Sequence, residues 1–275
     1  MDKSLDGEPV IGQSLTIADM NMLVLPLDPY RRLSGNLQAS TKAEQLLLSH
    51  CLKRFGFDVP PQISPSAQPS GNAQLYGIVD TQSAESRGYH GPTHNVGEQP
   101  QADPYSPAAH AVIIGEGQRS YGGQQVPEGG CLGEAERTLA EGAPTVEDPI
   151  LADRLANESW LRSQQDSRVL KVFAEWSTCM KRAGFDYVNP RKANNDPEFV
   201  SGEPTSKEIA VAVADVRCRN QVNLRNVWAT VHAAYERRAL ERHAAALAVM
   251  KKNIETREKN AAAVLARAWQ APRGR

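Results

Sequence analysis

Residues 49–58 read "SHCLKRFGFD", and 128 positions later residues 177–186 read "STCMKRAGFD". Seven of the ten positions are identical, too many for shared composition to explain. Leading into and through the first copy, Leu47, Leu48, Cys51, Leu52 and Phe55 fall on one face of a helix. Lys53-Arg54 and Lys181-Arg182 stand where cations complement the carbonyl end of a helix. Gly56 and Gly184 then supply the left-handed residue that ends it. Phe57 and Phe185 fold back onto the last turn, and Asp58 and Asp186 read as stops that bond nearby amides. After the first copy "VPP" forbids continuation. The motif is therefore a repeated helix ending, and Phe55 against Ala183 predicts different packing at that one position.

Each copy is followed by another helix that carries a cysteine, Cys131 after the first and Cys218 after the second. The chain has four cysteines, Cys51, Cys131, Cys179 and Cys218, and none forms a C-x-x-C pair. An even number at wide spacing fits two disulfides in an oxidising compartment. The repeat favours Cys51–Cys131 and Cys179–Cys218 over a Cys51–Cys179 link. Such bridges close loops of about 80 and 40 residues, worth roughly 4 kcal/mol each in the chain-entropy account. The expected fold is mainly α, made of duplicated disulfide-linked helical units with a long irregular Pro/Gly-rich segment and a long C-terminal helix. The expected divisions are a lead-in over 1–39, a first helical unit over 40–144 with a long loop at 60–130, and a second helical unit over 145–275.

The first helix opens at a Thr41–Glu44 capping box. Residues 60–130 hold nine of the 18 prolines and 11 of the 20 glycines, so regular periods are lost there. Tyr76, Tyr89, Tyr105 and Tyr121 argue for order all the same. A short helix is expected within "LYGIVDTQSAESRGYH", a mobile tip near "NVGEQPQADP" and a flexible turn at "GEGQRSYGG". Helical spacing resumes at "GGCLGEAERTLAEG". The next helical stretch opens at Thr145 and Asp148, bends near 163–167 and closes at Gly184. Trp160, Val169, Val172, Phe173, Trp176, Cys179 and Met180 form its apolar stripe.

A second Thr-x-x-Glu box, Thr205 to Glu208, starts the last helical run, which contains neither Pro nor Gly as far as Trp269. At 1.5 Å per residue, ~60 residues would reach ~90 Å. The run therefore either kinks near 220–226 or projects as an arm. Leu240, Leu247, Ile254, Ala261 and Ala268 recur every seven residues, a mixed heptad compatible with an amphipathic helix on a bundle.

Charge is nearly balanced, 31 basic against 32 acidic residues over 275, which argues against nucleic acid as the partner. Mean hydropathy is −0.48. No apolar run approaches the ~20 residues of a membrane span. The opening "MDKSLDGEPV" reads as a chain whose leader has been replaced by a Met.

"CMKRAGFDY", the downstream "ADVRCRNQVNLRNVWATVHAAYE", "LPLDPYR", "YGIVD" and "GYH" resemble a family of secreted proteins and lipoproteins from streptomycetes and related actinobacteria. The resemblance runs from about residue 22 onward. It implies export to the cell surface or beyond, often with a lipid-modified N-terminal cysteine, which this sequence lacks. It implies no activity.

The chemistry-bearing residues are few. "HGPTH" sets His90 and His94 four apart, but Gly91 and Pro92 between them exclude a helical metal face. With Tyr89 they are the candidate ligand-binding residues, and neither a metal nor a cofactor is expected. There is no G-x-S-x-G elbow and no phosphate loop. Asp58 and Asp186 as paired glycosidase carboxylates are outweighed by their place in the repeat. Trp176 and Trp228 read as packing around the second bridge. The reading is a non-enzymatic extracytoplasmic binding protein of the cell envelope, with no catalytic residues. Its protein or cell-wall partner would be met through the helix over 224–268. The alternatives are an accessory subunit of an envelope exporter or wall-associated complex, and a hydrolase of unrecognised type.

Overall fold

The computed structural model describes residues 7–17, 19–31, 38–62, 72, 75–78, 80–90, 103–117, 119–200 and 202–270. The fold is mainly α, with two disulfides and a long C-terminal helix, as the sequence leads one to expect. His94 and most of the expected mobile tip lie outside the described residues.

Both copies of the repeated motif take the same local geometry. Helix α1 (Gln38–Arg54) and helix α6 (Ser167–Arg182) each end on a lysine-arginine pair. Gly56 and Gly184 follow at φ +82° and +91°, a backbone that a side chain would strain. The Phe57 amide donates to the Leu52 carbonyl, and the Phe185 amide to that of Met180. This bond, together with the glycine amide's, satisfies the last helical carbonyls. Ser49 Oγ donates to the Val59 carbonyl and Ser177 Oγ to that of Tyr187, both at 2.7 Å. The backbone thus closes the turn without the aspartates, which corrects their expected role. Asp58 and Asp186 are exposed, and Asp186 meets Lys181 at 3.2 Å. Phe55 is buried where Ala183 is exposed. The bridges are Cys51–Cys131 and Cys179–Cys218.

The chain forms two compact units, and neither is a continuous segment. The larger gathers 1–31, 69–96 and 150–244; the smaller gathers 32–68, 97–149 and 245–275. This differs from the sequential division at 40–144 and 145–275, because the C-terminal helix packs with elements from the first half of the chain.

In the smaller unit, α1 packs against α3 (Pro107–Ile114) and α4 (Gly130–Leu139). Leu48, Leu52, Phe55, Val112 and Ile113 form its core around the Cys51–Cys131 bridge. Helix α3 was hidden in the Pro/Gly-rich stretch; Ser106 caps it, Pro107 starts it and Gly115 ends it. Within "GEGQRSYGG", read from sequence as a flexible turn, residues 119–123 enter a hairpin. Strands β1 (Ser120–Tyr121) and β2 (Gln124–Gln125) pair antiparallel around Gly122-Gly123, the tight hairpin that two glycines favour.

Helix α10 (Ala244–Gln270) buries Leu247, Met250, Arg257 and Ala261 on one side. It pairs Arg257 with Glu136 and packs Ala261 on Ala43 and Leu139. Asn260 donates to the carbonyls of Leu139 and Glu141, and Asn253 to that of Pro144. The heptad is therefore an amphipathic stripe within its own unit.

In the larger unit, α5 (Leu151–Ser163) and α6 pack on α9 (Leu224–Arg242). Helices α2 (Thr81–Arg87) and α7 (Pro190–Asn194) pack on α8 (Ser206–Gln221). Leu25, Trp176, Met180, Leu224 and Trp228 are central to the core. Trp176 and Trp228 share that core, as expected, though Trp228 meets the rings of Tyr76, Phe173 and Trp160.

The bend expected near 163–167 is the gap between α5 and α6. The kink expected near 220–226 falls at Val222-Asn223, with Asn223 at φ +55°, a left-handed position that Asn tolerates. A further interruption at His243 was not anticipated.

Two expected helix starts are displaced. Helix α1 begins before Thr41, because Ala39 adds to the packing around Ala43 and Ala261. Helix α5 begins at Leu151 rather than at Thr145, since Pro149 disfavours helical backbone in the residue before it.

Candidate functional site

Helix α8 carries three charged residues on its packed side: Glu208, Asp215 and Arg219, which are 1%, 0% and 2% exposed. Burying charge is unfavourable unless every charge is paired and hydrogen-bonded. Here each one is. Arg219 grips Asp215 through Nε at 2.6 Å and Nη2 at 2.9 Å, and its Nη1 donates to the Tyr76 carbonyl. Trp176 Nε1 and the Tyr89 hydroxyl donate to the two Asp215 oxygens at 2.7 and 3.0 Å. Burial, followed by the Asp215 charge, pushes the Tyr89 phenol far up, so it stays a donor.

Glu208 explains the second "Thr-x-x-Glu" pattern only in part. Thr205 caps α8 by accepting from the Glu208 amide at 3.1 Å. The Glu208 carboxylate turns elsewhere, accepting from the Tyr89 amide at 2.8 Å and meeting His90 Nδ1 at 2.9 Å. Space decides the neighbouring glycines. A Cβ at Gly88 would lie 2.4 Å from Glu208 Oε1, and one at Gly77 would lie 2.8 Å from Arg219 Nη1. Tyr76-Gly77, from "YGIVD", and residues 88–90, "GYH", are therefore two places where the chain crosses buried charges on α8. Tyr89 and His90, read from sequence as ligand-binding, are fasteners of this crossing, and Tyr89 stacks on Phe199. Among the described residues no group of three or more His, Cys, Asp or Glu could hold a metal ion.

A second buried chain runs from α9. His232 Nδ1 shares a 2.7 Å hydrogen bond with the Tyr76 hydroxyl. His232 Nε2 lies 3.3 Å from Glu236 Oε1, and Glu236 Oε2 accepts from the Leu27 amide. The order resembles a nucleophile–base–acid relay, but its chemistry differs. Burial and the nearby Glu236 and Asp28 charges raise the Tyr76 phenol well above its ordinary value, so no phenolate forms to attack. Asp28 is itself raised, mainly by burial.

Above these residues lies an open cleft of about 210 Å³, walled by Leu75, Trp160, Pro190, Arg191 and the asparagines 194 and 195, and reaching down to Arg219 and Trp228. Trp160 is layered between the Arg191 guanidinium, 5.1 Å from its ring, and Trp228, at 6.3 Å and 22°. Trp228 Nε1 donates to Ser163 Oγ, whereas the buried Trp160 Nε1 has no partner. Arg191 Nη1 donates to Gln164 Oε1, and Asn194 Nδ2 to Asn195 Oδ1. Asn189 caps α7 and so sets the position of Arg191.

A roomier cleft, about 380 Å³, lies in the smaller unit beside α10. Its charged and amide side chains are already engaged: Arg257 with Glu136, and Asn253 with the Pro144 carbonyl. The Trp160 cleft, which retains an unanswered donor, is the stronger candidate site. Sequence reading missed it. Trp160 reads as one residue of an apolar stripe, and "NPRKANNDPEF" reads as a plain loop. In comparisons with protein-family models, curated proteins and solved structures, nothing matches this chain.

Proposed function

We propose that this chain is an exported, non-catalytic binding protein of the cell envelope whose ligand occupies the Trp160 cleft. The observation that carries the reading is the buried indole N–H of Trp160, a residue that lines an open cleft, left without a partner. Binding is favoured over turnover by the lining, which has no Ser, Cys, His, Asp or Glu to act as nucleophile or general base. Export is supported by the two disulfides, which persist in oxidising compartments. It is supported too by the resemblance to secreted proteins and lipoproteins of streptomycetes. Among the described residues no helix is long and apolar enough to cross a membrane. A partner docking through residues 224–268 would have to use the exposed side of α10 or the exposed end of α9 at 237 and 241–243, because residues 228–236 of α9 are buried.

The test is a set of thermal melts of the purified, oxidised protein against small anions, cations, neutral molecules and wall fragments. At least one ligand should raise Tm saturably in the parent protein and not after Trp160→Phe. If none does, the binding reading fails.

A further inference from the structure

The Trp160 cleft also carries information about the charge of what it takes. Arg219 is neutralised by Asp215 at the floor. Arg191, at the rim, is exposed and stacked on Trp160, and among the described residues no carboxylate pairs with it. The cleft therefore holds one uncompensated positive charge.

Its hydrogen-bonding capacity leans towards donors. The Trp160 Nε1–H is a donor without an acceptor. Arg191 has donated one bond to Gln164 and keeps further N–H groups, and a guanidinium accepts nothing. Two lining acceptors are taken: Asn195 Oδ1 receives Asn194, and the Tyr76 carbonyl receives Arg219. A cation would meet Arg191 unfavourably. A neutral donor could use Asn194 Oδ1 but would gain nothing from the charge of Arg191. An anion with planar oxygens would gain both the charge and the donors, and guanidinium geometry suits a carboxylate.

The remaining walls are apolar: Leu75, Pro190 and the indole edges. The volume, about 210 Å³, equals about seven waters at ~30 Å³ each. That is room for one small molecule.

We infer that the cleft binds a small carboxylic acid with an apolar body, its carboxylate between Arg191 and the Trp160 N–H. This rests on the cleft being the ligand site.

The experiment uses the full oxidised chain, with ¹H–¹⁵N indole spectra in which Trp160→Phe identifies the Trp160 signal. Benzoate, benzamide, benzylammonium and acetate are titrated in. Benzoate should move the Trp160 indole resonance saturably. Benzamide, benzylammonium and acetate should each bind at least tenfold more weakly. Arg191→Gln should weaken benzoate at least tenfold, Arg191→Lys should recover part of it, and melts should show both variants folded.

Equal binding of benzamide or benzylammonium overturns the inference, as does benzoate binding that ignores Arg191→Gln. A neutral ligand found by the wider thermal screen, with benzoate inert, sinks the carboxylate and leaves the binding site standing. Silence from every compound sinks both. A short peptide ending in Phe, compared with its C-terminal amide and with hydrocinnamate, separates a chain end from a free acid as the source of the carboxylate.

Discussion

Asp215 holds together three neighbours from different stretches of the chain: Trp176, Tyr89 and Arg219. Asp215→Ala would leave a buried guanidinium without its counter-charge, which costs about 3–5 kcal/mol. For a chain of this size that lowers Tm by roughly 6–20 °C, at ~2–4 °C per kcal/mol. Asp215→Leu with Arg219→Met should recover only part of the loss, because it removes the orphaned guanidinium but leaves Trp176 Nε1, the Tyr89 hydroxyl and the Tyr76 carbonyl without these partners. Calorimetry of the single and double variants checks both outcomes. Gly88→Ala is the steric counterpart. Its methyl would press on Glu208 in a backbone at φ +57°, so we expect destabilisation above ~1 kcal/mol in urea melts. None of this was legible from Tyr89 and His90 alone. A tyrosine and a histidine in a Gly/Pro-rich loop look like ligand contacts until their partners, more than a hundred residues away, are in place. Trp160 shows the converse: its helical spacing announces packing and conceals the unpaired N–H.

Among the elements, most of those with a strong local signal were read correctly, although the capping box at Thr41 misplaced the start of α1. The Gly-Phe endings of α1 and α6, the break between α8 and α9 and the short α2 each follow from a glycine, an asparagine or a cap visible in the sequence. Helix α3 escaped because "PAAHAVII" is apolar on nearly every side and sits among prolines. The break at His243 escaped because no Pro, Gly or Asn marks it.

Helix α2 also offers a titration test. The Ser83 amide, and next its hydroxyl, hold the Asp80 carboxyl below the usual carboxylate range. The folded state thus prefers the ionised form. That contribution is complete above the unfolded pKa near ~3.9 and declines as pH falls through the lower folded value. Asparagine caps without titrating. The stability difference between the parent protein and Asp80→Asn should be flat from pH ~7 to ~5 and should shrink below pH ~4. Asp80→Ala should cost ~1 kcal/mol at neutral pH.

In the whole molecule each disulfide belongs to one unit: Cys51–Cys131 to the smaller, Cys179–Cys218 to the larger. Removing a native bridge costs about 2–5 kcal/mol. Replacing Cys51 and Cys131 together by Ala should therefore raise hydrogen exchange in α1, α3 and α4 while α8 and α9 stay protected. The Cys179/Cys218 pair should do the reverse. Uniform loss of protection from either pair would show that the units unfold as one.

The interleaving of the units has a consequence in time. The Leu27 amide meets Glu236 across 209 residues, and Arg257 meets Glu136 across 121. A chain emerging from its N-terminus can close the Cys51–Cys131 loop while most of α10's contacts have yet to be made. Leu25 and Leu27 must wait for α9 before they are covered. High contact order of this kind slows folding. During synthesis or translocation the smaller unit therefore stays unfinished until α10 arrives, and Leu25 and Leu27 need shielding until α9 does.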